Sequence, residues 1–177
     1  NDRFTAEFSG NSSDGELFCI TDGTHRIGVT AVNTGKAKHE PRSAALVRGE
    51  AAVSDKIPAE RVVFEKAASG SDIEYSLTGN GVKENIVIRE KADVHRWSFL
   101  LCTENVSAES DGDGKRIAFT DTESGREVFY IPAPFMIDAD GNVSENVSYD
   151  VVTLENGNVL MAVTADSEWI NADGRAF

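Results

Sequence analysis

Two acidic loops and a few aromatic side chains are the residues whose types and spacing best suit chemistry. Asp138-Ala-Asp140-Gly-Asn142 sets oxygen ligands at alternate positions, and Asp111-Gly-Asp113-Gly, with Glu109 just before it, sets a second group. Hard Ca²⁺ takes about six to eight such oxygens, so calcium is the metal these loops would hold. The first is no EF-hand, because Val143 stands where the turn glycine belongs and Tyr149 where the closing glutamate belongs. Ordinary tight turns account for the same residues.

The aromatic candidates are Trp169, Tyr130 and Tyr149, with Glu168 beside the tryptophan. Sugar sites stack rings on exposed aromatic faces flanked by carboxylates, which makes these four the residues of a ligand platform. Trp97 is set apart, since alternation in His95-Arg-Trp-Ser-Phe99 puts it on a core face. For catalysis the pattern is poor. The histidines His25, His39 and His95 form no HExxH or other metal spacing, and no Gly-x-Ser-x-Gly elbow occurs. Glycoside hydrolysis needs two carboxylates at a set separation in space, and 30 acidic residues supply sequence pairs by chance. The expectation is a protein that is not an enzyme.

These groups sit in a chain of 177 residues with 30 acidic against 17 basic side chains, a net charge of −13. Nucleic-acid binding relies on Lys and Arg displacing condensed counterions, so the balance predicts no nucleic-acid partner. No run approaches the length of a spanning helix and no signal segment opens the chain, so no membrane insertion is expected. The start at Asn1 reads as a cut from a longer polypeptide, with any targeting signal outside it. Cys19 and Cys102 both lie in apolar runs without an adjacent cation; buried free thiols and a single bridge are both open.

The elements that must position these groups are strands. Alternating apolar and polar residues recur along nearly the whole chain, bounded by Asp14-Gly15, Asp22-Gly23, Asn80-Gly81, Asp111-Gly112, Asp140-Gly141, Asn156-Gly157 and similar turn pairs. The spacing predicts strands at 2–8, 16–21, 25–32, 44–51, 61–65, 72–78, 82–90, 95–102, 116–121, 127–131, 135–138, 148–154 and 158–165, and no helix beyond about two turns. The fold class is all-β: an antiparallel β-sandwich, one elaborated or two abutting small ones. In the two-sandwich form the units are 1–69 and 70–177. An Asn80-Gly81 turn pairs Tyr75 with Ile86 and Ile73 with Ile88, so that one hairpin face is apolar and serves as wall rather than site. Pro132 and Pro134 mark a strand edge or a crossover, since proline cannot donate to a central ladder.

DIEYSLTGNGVKENIVI, VHRWSFLL, RIAFTDTESGREVFYIPAPFMIDADGNVSENVSYDV and VLMAVTADSEWINADGRAF follow one another with short gaps. Over about 70–177 this resembles the β-rich region of large bacterial cell-surface and secreted proteins of the Rhs/YD-repeat and wall-associated type, the segment that precedes a DNRLRE-type domain. Gly79-Asn80-Gly81-Val82-Lys83-Glu84, the Ile131-Pro-Ala-Pro-Phe-Met136 run with Asp138 and Asp140-Gly141, and Glu168-Trp169 before Arg175-Ala-Phe177 carry the resemblance. It implies a bacterial extracellular module, a non-catalytic structural or adhesive (adhesin) unit, located outside the cell or on its surface. The partners it implies are the neighbouring domains of the same polypeptide. The competing reading is a carbohydrate-binding module for plant or host polysaccharide. No cofactor is expected apart from calcium.

Overall fold

The computed structural model describes residues 4–8, 15–32, 61–68 and 70–174. The expected strand at 44–51 and His39 lie outside them. The strands are β1 (Thr5–Phe8), β2 (Phe18–Thr21), β3 (Arg26–Val32), β4 (Arg61–Ala68), β5 (Ser71–Thr78), β6 (Gly81–Val87), β7 (His95–Glu104), β8 (Val106–Ser110), β9 (Ile117–Asp121), β10 (Glu127–Ile131), β11 (Met136–Ile137), β12 (Val143–Ser144), β13 (Val147–Thr153) and β14 (Val159–Ala165), followed by the one-turn helix α1 (Ser167–Asn171). The all-β antiparallel class is as the alternation required. No helix among the described residues is long and apolar enough to cross a membrane.

A six-stranded antiparallel sheet in the order β1-β2-β3-β7-β14-β13 is the backbone of the fold, accompanied by three-stranded sheets β4-β5-β6 and β10-β9-β8 and the small pair β11-β12. One cross-strand row of the large sheet runs Phe8, Phe18, Val29, Leu101, Val159 on its core face. Trp97, Phe99 and Leu101 alternate inward on β7, while Arg96 and Ser98 point the other way. Phe64, Ile73 and Tyr75 from the second sheet and Val106, Ala108, Ile117 and Phe119 from the third join one apolar cluster with them. Tyr75 packs against Phe18 at 4.5 Å and Phe8 at 6.0 Å between ring centroids. The Trp97 indole N–H donates to the Ser71 hydroxyl at 3.1 Å, joining the first two sheets by a buried hydrogen bond. The pairings of β3 with β7 and of β4 with β5 both cross residue 69.

The hairpin register differs from the expected one. Thr78 pairs with Gly81, so Gly79 and Asn80 form the two-residue turn, Ile73 faces Ile86 and Tyr75 faces Glu84. The slip is two residues in pairing, which keeps each side chain on its face. The Thr78 hydroxyl, which donates to Asn80 Oδ1 at 3.2 Å and to the Gly81 carbonyl at 3.0 Å, holds the turn at Gly79-Asn80. β8 and β12 are two short strands that the alternation does not single out, and α1 is too brief for a period.

Candidate functional site

β9, β10 and the proline linker bring together two of the four platform residues. Tyr130 stands exposed on β10, and the Arg116 guanidinium lies 4.8 Å above its ring. That guanidinium is also forked onto Glu127, at 2.9 and 2.6 Å, which holds the carboxyl below its ordinary range. Pro132 and Pro134 separate β10 from β11, as their missing N–H groups require. Into this break reaches Tyr149 from β13, whose hydroxyl donates to the Pro132 carbonyl at 3.3 Å. Burial pushes the Tyr149 phenol well above its usual range, so it remains protonated at neutral pH.

A shallow groove of about 250 Å³ adjoins the linker, lined by Lys115, Ala133, Pro134, Phe135, Val143 and Glu145. Cross-strand pairing of Ile137 with Val143 sets both on the exposed side of the β11–β12 pair, with Phe135 on the same side. The groove's ammonium group is not free: Lys115 Nζ donates to the Glu145 and Val147 carbonyls at 2.5 and 2.6 Å. The surface therefore offers ring stacking with its nearby positive charges already partnered.

Trp169 and Glu168 sit elsewhere, on α1 at the end of β14. Asp166 caps this helix, its Oδ1 accepting the Glu168 and Trp169 N–H groups at 2.9 and 3.1 Å. Glu168 is exposed, whereas Trp169 is half-buried against the core cluster.

Of the acidic candidates, Asp138 is buried and its oxygens are turned onto its own loop. Oδ1 accepts from the Asp140 and Asn142 N–H groups at 3.0 and 2.8 Å, and Oδ2 from the Asn142 amide at 2.8 Å. Asp140 and Asn142 are exposed. Asp111 shapes the β8–β9 turn by accepting the Lys115 N–H at 2.6 Å, and Asp113 is exposed at its tip. No three His, Cys, Asp or Glu side chains group to hold a metal among the described residues.

A cluster that spacing did not reveal surrounds His25. Its buried ring contacts Asp22 Oδ2 through Nδ1 at 2.7 Å and Asp121 Oδ2 through Nε2 at 2.8 Å, the second partner lying 96 residues away. The Asp22-Gly23 turn pair was the only local signal. The other described histidine, His95, is buried beside Trp97, with Nδ1 at 3.0 Å from the Ser167 hydroxyl; burial lowers its basicity.

No family model and no solved structure matches the chain. Among curated proteins it is similar to "tRNA nuclease WapA" of Bacillus subtilis (strain 168), 28% identical over 144 residues, and to "tRNA3(Ser)-specific nuclease WapA" of Bacillus spizizenii, 27% identical over 144 residues. Each match covers 77% of this chain, which spans only 6% of the length of those relatives.

These matches correct several expectations. Similarity to proteins named as tRNA nucleases replaces the resemblance to the Rhs/YD-repeat or wall-associated region preceding a DNRLRE-type domain. That resemblance rested on Gly79-Asn80-Gly81-Val82-Lys83-Glu84, the Ile131-Pro-Ala-Pro-Phe-Met136 run and Glu168-Trp169, short stretches that no family model takes up. That the matched proteins are named as tRNA nucleases counts against the expected non-catalytic structural or adhesive module, and carbohydrate binding gains no support from them. The expectations of no enzyme and no nucleic-acid partner fall with them. Net charge describes the average surface of 177 residues, and the matched relatives are many times longer.

Proposed function

We propose that this chain forms part of a tRNA nuclease, and that the substrate of the polypeptide carrying it is tRNA. What carries the reading is the similarity over 144 residues, 77% of the chain, to proteins named for tRNA cleavage. The site geometry supports one contribution to such work. An exposed tyrosine beneath an arginine is a surface on which an unpaired base stacks, and stacking tolerates any base because each has a π-face. Phosphate affinity has to come from cations other than Arg116 and Lys115, which are already bonded within this chain. An extracellular position belongs to the same proposal, and fractionation of the producing cells tests it.

The test is cleavage of a total tRNA pool, followed on denaturing gels, by the complete native polypeptide, with residues 1–177 alone assayed in parallel. The expected result is discrete tRNA fragments from the complete polypeptide. The parallel lane locates the cutting groups inside or outside this chain. Intact tRNA in the presence of the folded, complete polypeptide would overturn the reading.

A further inference from the structure

The His25 cluster has a geometry that only one protonation state satisfies. Both ring nitrogens lie within hydrogen-bond distance of carboxylate oxygens, 2.7 Å to Asp22 and 2.8 Å to Asp121. A neutral imidazole carries one N–H, so one of those contacts would set lone pair against lone pair; the imidazolium donates to both. The ring is buried, which leaves water little room to replace a lost partner.

The two carboxylates belong to different sheets. Asp22 and His25 form the turn that leads into β3 of the six-stranded sheet, whereas Asp121 closes β9 of the three-stranded one. A third turn meets them. Asn105, between β7 and β8 with φ of 59°, donates its amide to the Thr24 carbonyl at 2.7 Å and accepts the Thr122 N–H at 3.1 Å. Each aspartate also holds its own turn independently of the ring. Asp22 Oδ1 accepts the Thr24 and His25 N–H groups, and Asp121 Oδ1 accepts from the Ser124 N–H and hydroxyl. Loss of the imidazolium proton therefore leaves both turns shaped, while the ring, left with a single N–H, no longer donates to both of them.

We propose that His25 is the proton-operated latch of this junction, fastening the β2–β3 turn to the end of β9 while the ring is cationic and releasing it as the solution becomes alkaline. The charged groups facing the ring are Asp22 from its own turn and Asp121 from β9. Their hydrogen bonds, Asp22 first and Asp121 next, raise the basicity of His25 against the opposing effect of burial. A raised value in the closed form makes the latch complete below about pH 6.5, the ordinary histidine value, and spent once pH has risen through the closed-form value.

The experiment is a pH titration of the complete chain by NMR, reading the His25 ring signals together with exchange protection at the Thr122 and Asp22 N–H groups. The ring is expected to titrate above about 6.5. Over that interval protection at Thr122, corrected for intrinsic base catalysis, should fall by about tenfold per pH unit and then level off, the signature of one linked proton. His25→Gln should flatten this dependence, and Asp121→Asn should shift the ring's titration downward. A ring that titrates at or below the ordinary value, or protection at Thr122 indifferent to pH in the native chain, would overturn the latch. Both readings come from the native chain and do not depend on either variant folding.

Discussion

At the scale of single residues, two glycines with similar backbone conformations differ in what surrounds them. Gly114 and Gly125 both take left-handed φ, +64° and +69°, which an alanine adopts at a cost of about 1 to 2 kcal/mol. A Cβ at Gly125 would meet open space, whereas at Gly114 it would lie 2.6 Å from the Tyr149 carbonyl oxygen. Gly114 also accepts the Tyr149 N–H at 2.7 Å, so the β8–β9 turn is docked on β13 through backbone as well as through the Lys115 ammonium on the Val147 carbonyl. Gly114→Ala should then lower the thermal midpoint clearly more than Gly125→Ala, by the further equivalent of about 1 to 3 kcal/mol for a displaced turn. Equal losses in parallel melts would mean that β13 yields freely. The cysteines illustrate how pairing settles a question left open by composition. Cys19 and Cys102 each pair with Gly28, from opposite sides. Two strand spacings, about 9 to 10 Å, separate them, beyond the reach of a disulfide, and both are free.

At the scale of elements, the β4–β6 sheet depends on one buried carboxylate. Asp72 accepts the Lys66 N–H at 2.9 Å, where Lys66 takes φ of 53° and the pairing of β4 with β5 is interrupted, and it accepts Arg89 at 2.9 and 2.7 Å. Burial alone would raise its pKa, yet the Lys66 N–H and the Arg89 guanidinium hold it below the ordinary value. A depressed value in the folded state makes its stabilisation complete above about pH 4 and lost as pH falls through that lower value. Asp72→Asn should cost about 1 to 3 kcal/mol at neutral pH and reduce the acid sensitivity of the melting temperature. An unchanged acid limb would assign that sensitivity to other carboxylates. Asp72 pairs with Val87 and meets Arg89, two residues on, only through the side chain; the interruption at Lys66 was not legible in the sequence, because nothing local distinguishes that lysine from a regular strand residue.

For the whole molecule, the charge of −13 dominates the surface. Self-repulsion of that size opposes compaction, and salt screens it over about 10 Å at 0.1 M. Raising sodium chloride from about 10 to about 150 mM should therefore raise the melting temperature. A fall would show that exposed pairs such as Arg116 with Glu127 and Arg96 with Asp150 outweigh the net repulsion. Most of the strands, turns such as Asp22-Gly23 and Asn156-Gly157, and the core assignment of Trp97 followed from the sequence by itself, because alternation and positive-φ turn residues are properties of neighbours along the chain. Only the tertiary structure decided that β7 lies between β3 and β14, that Tyr149 reaches the proline linker after Tyr130, that the Asp138 oxygens are turned onto their own loop, and that His25 meets Asp121. Each of these depends on which distant segment arrives at a given face, and a side chain's partner 96 residues away leaves no mark on the residues beside it.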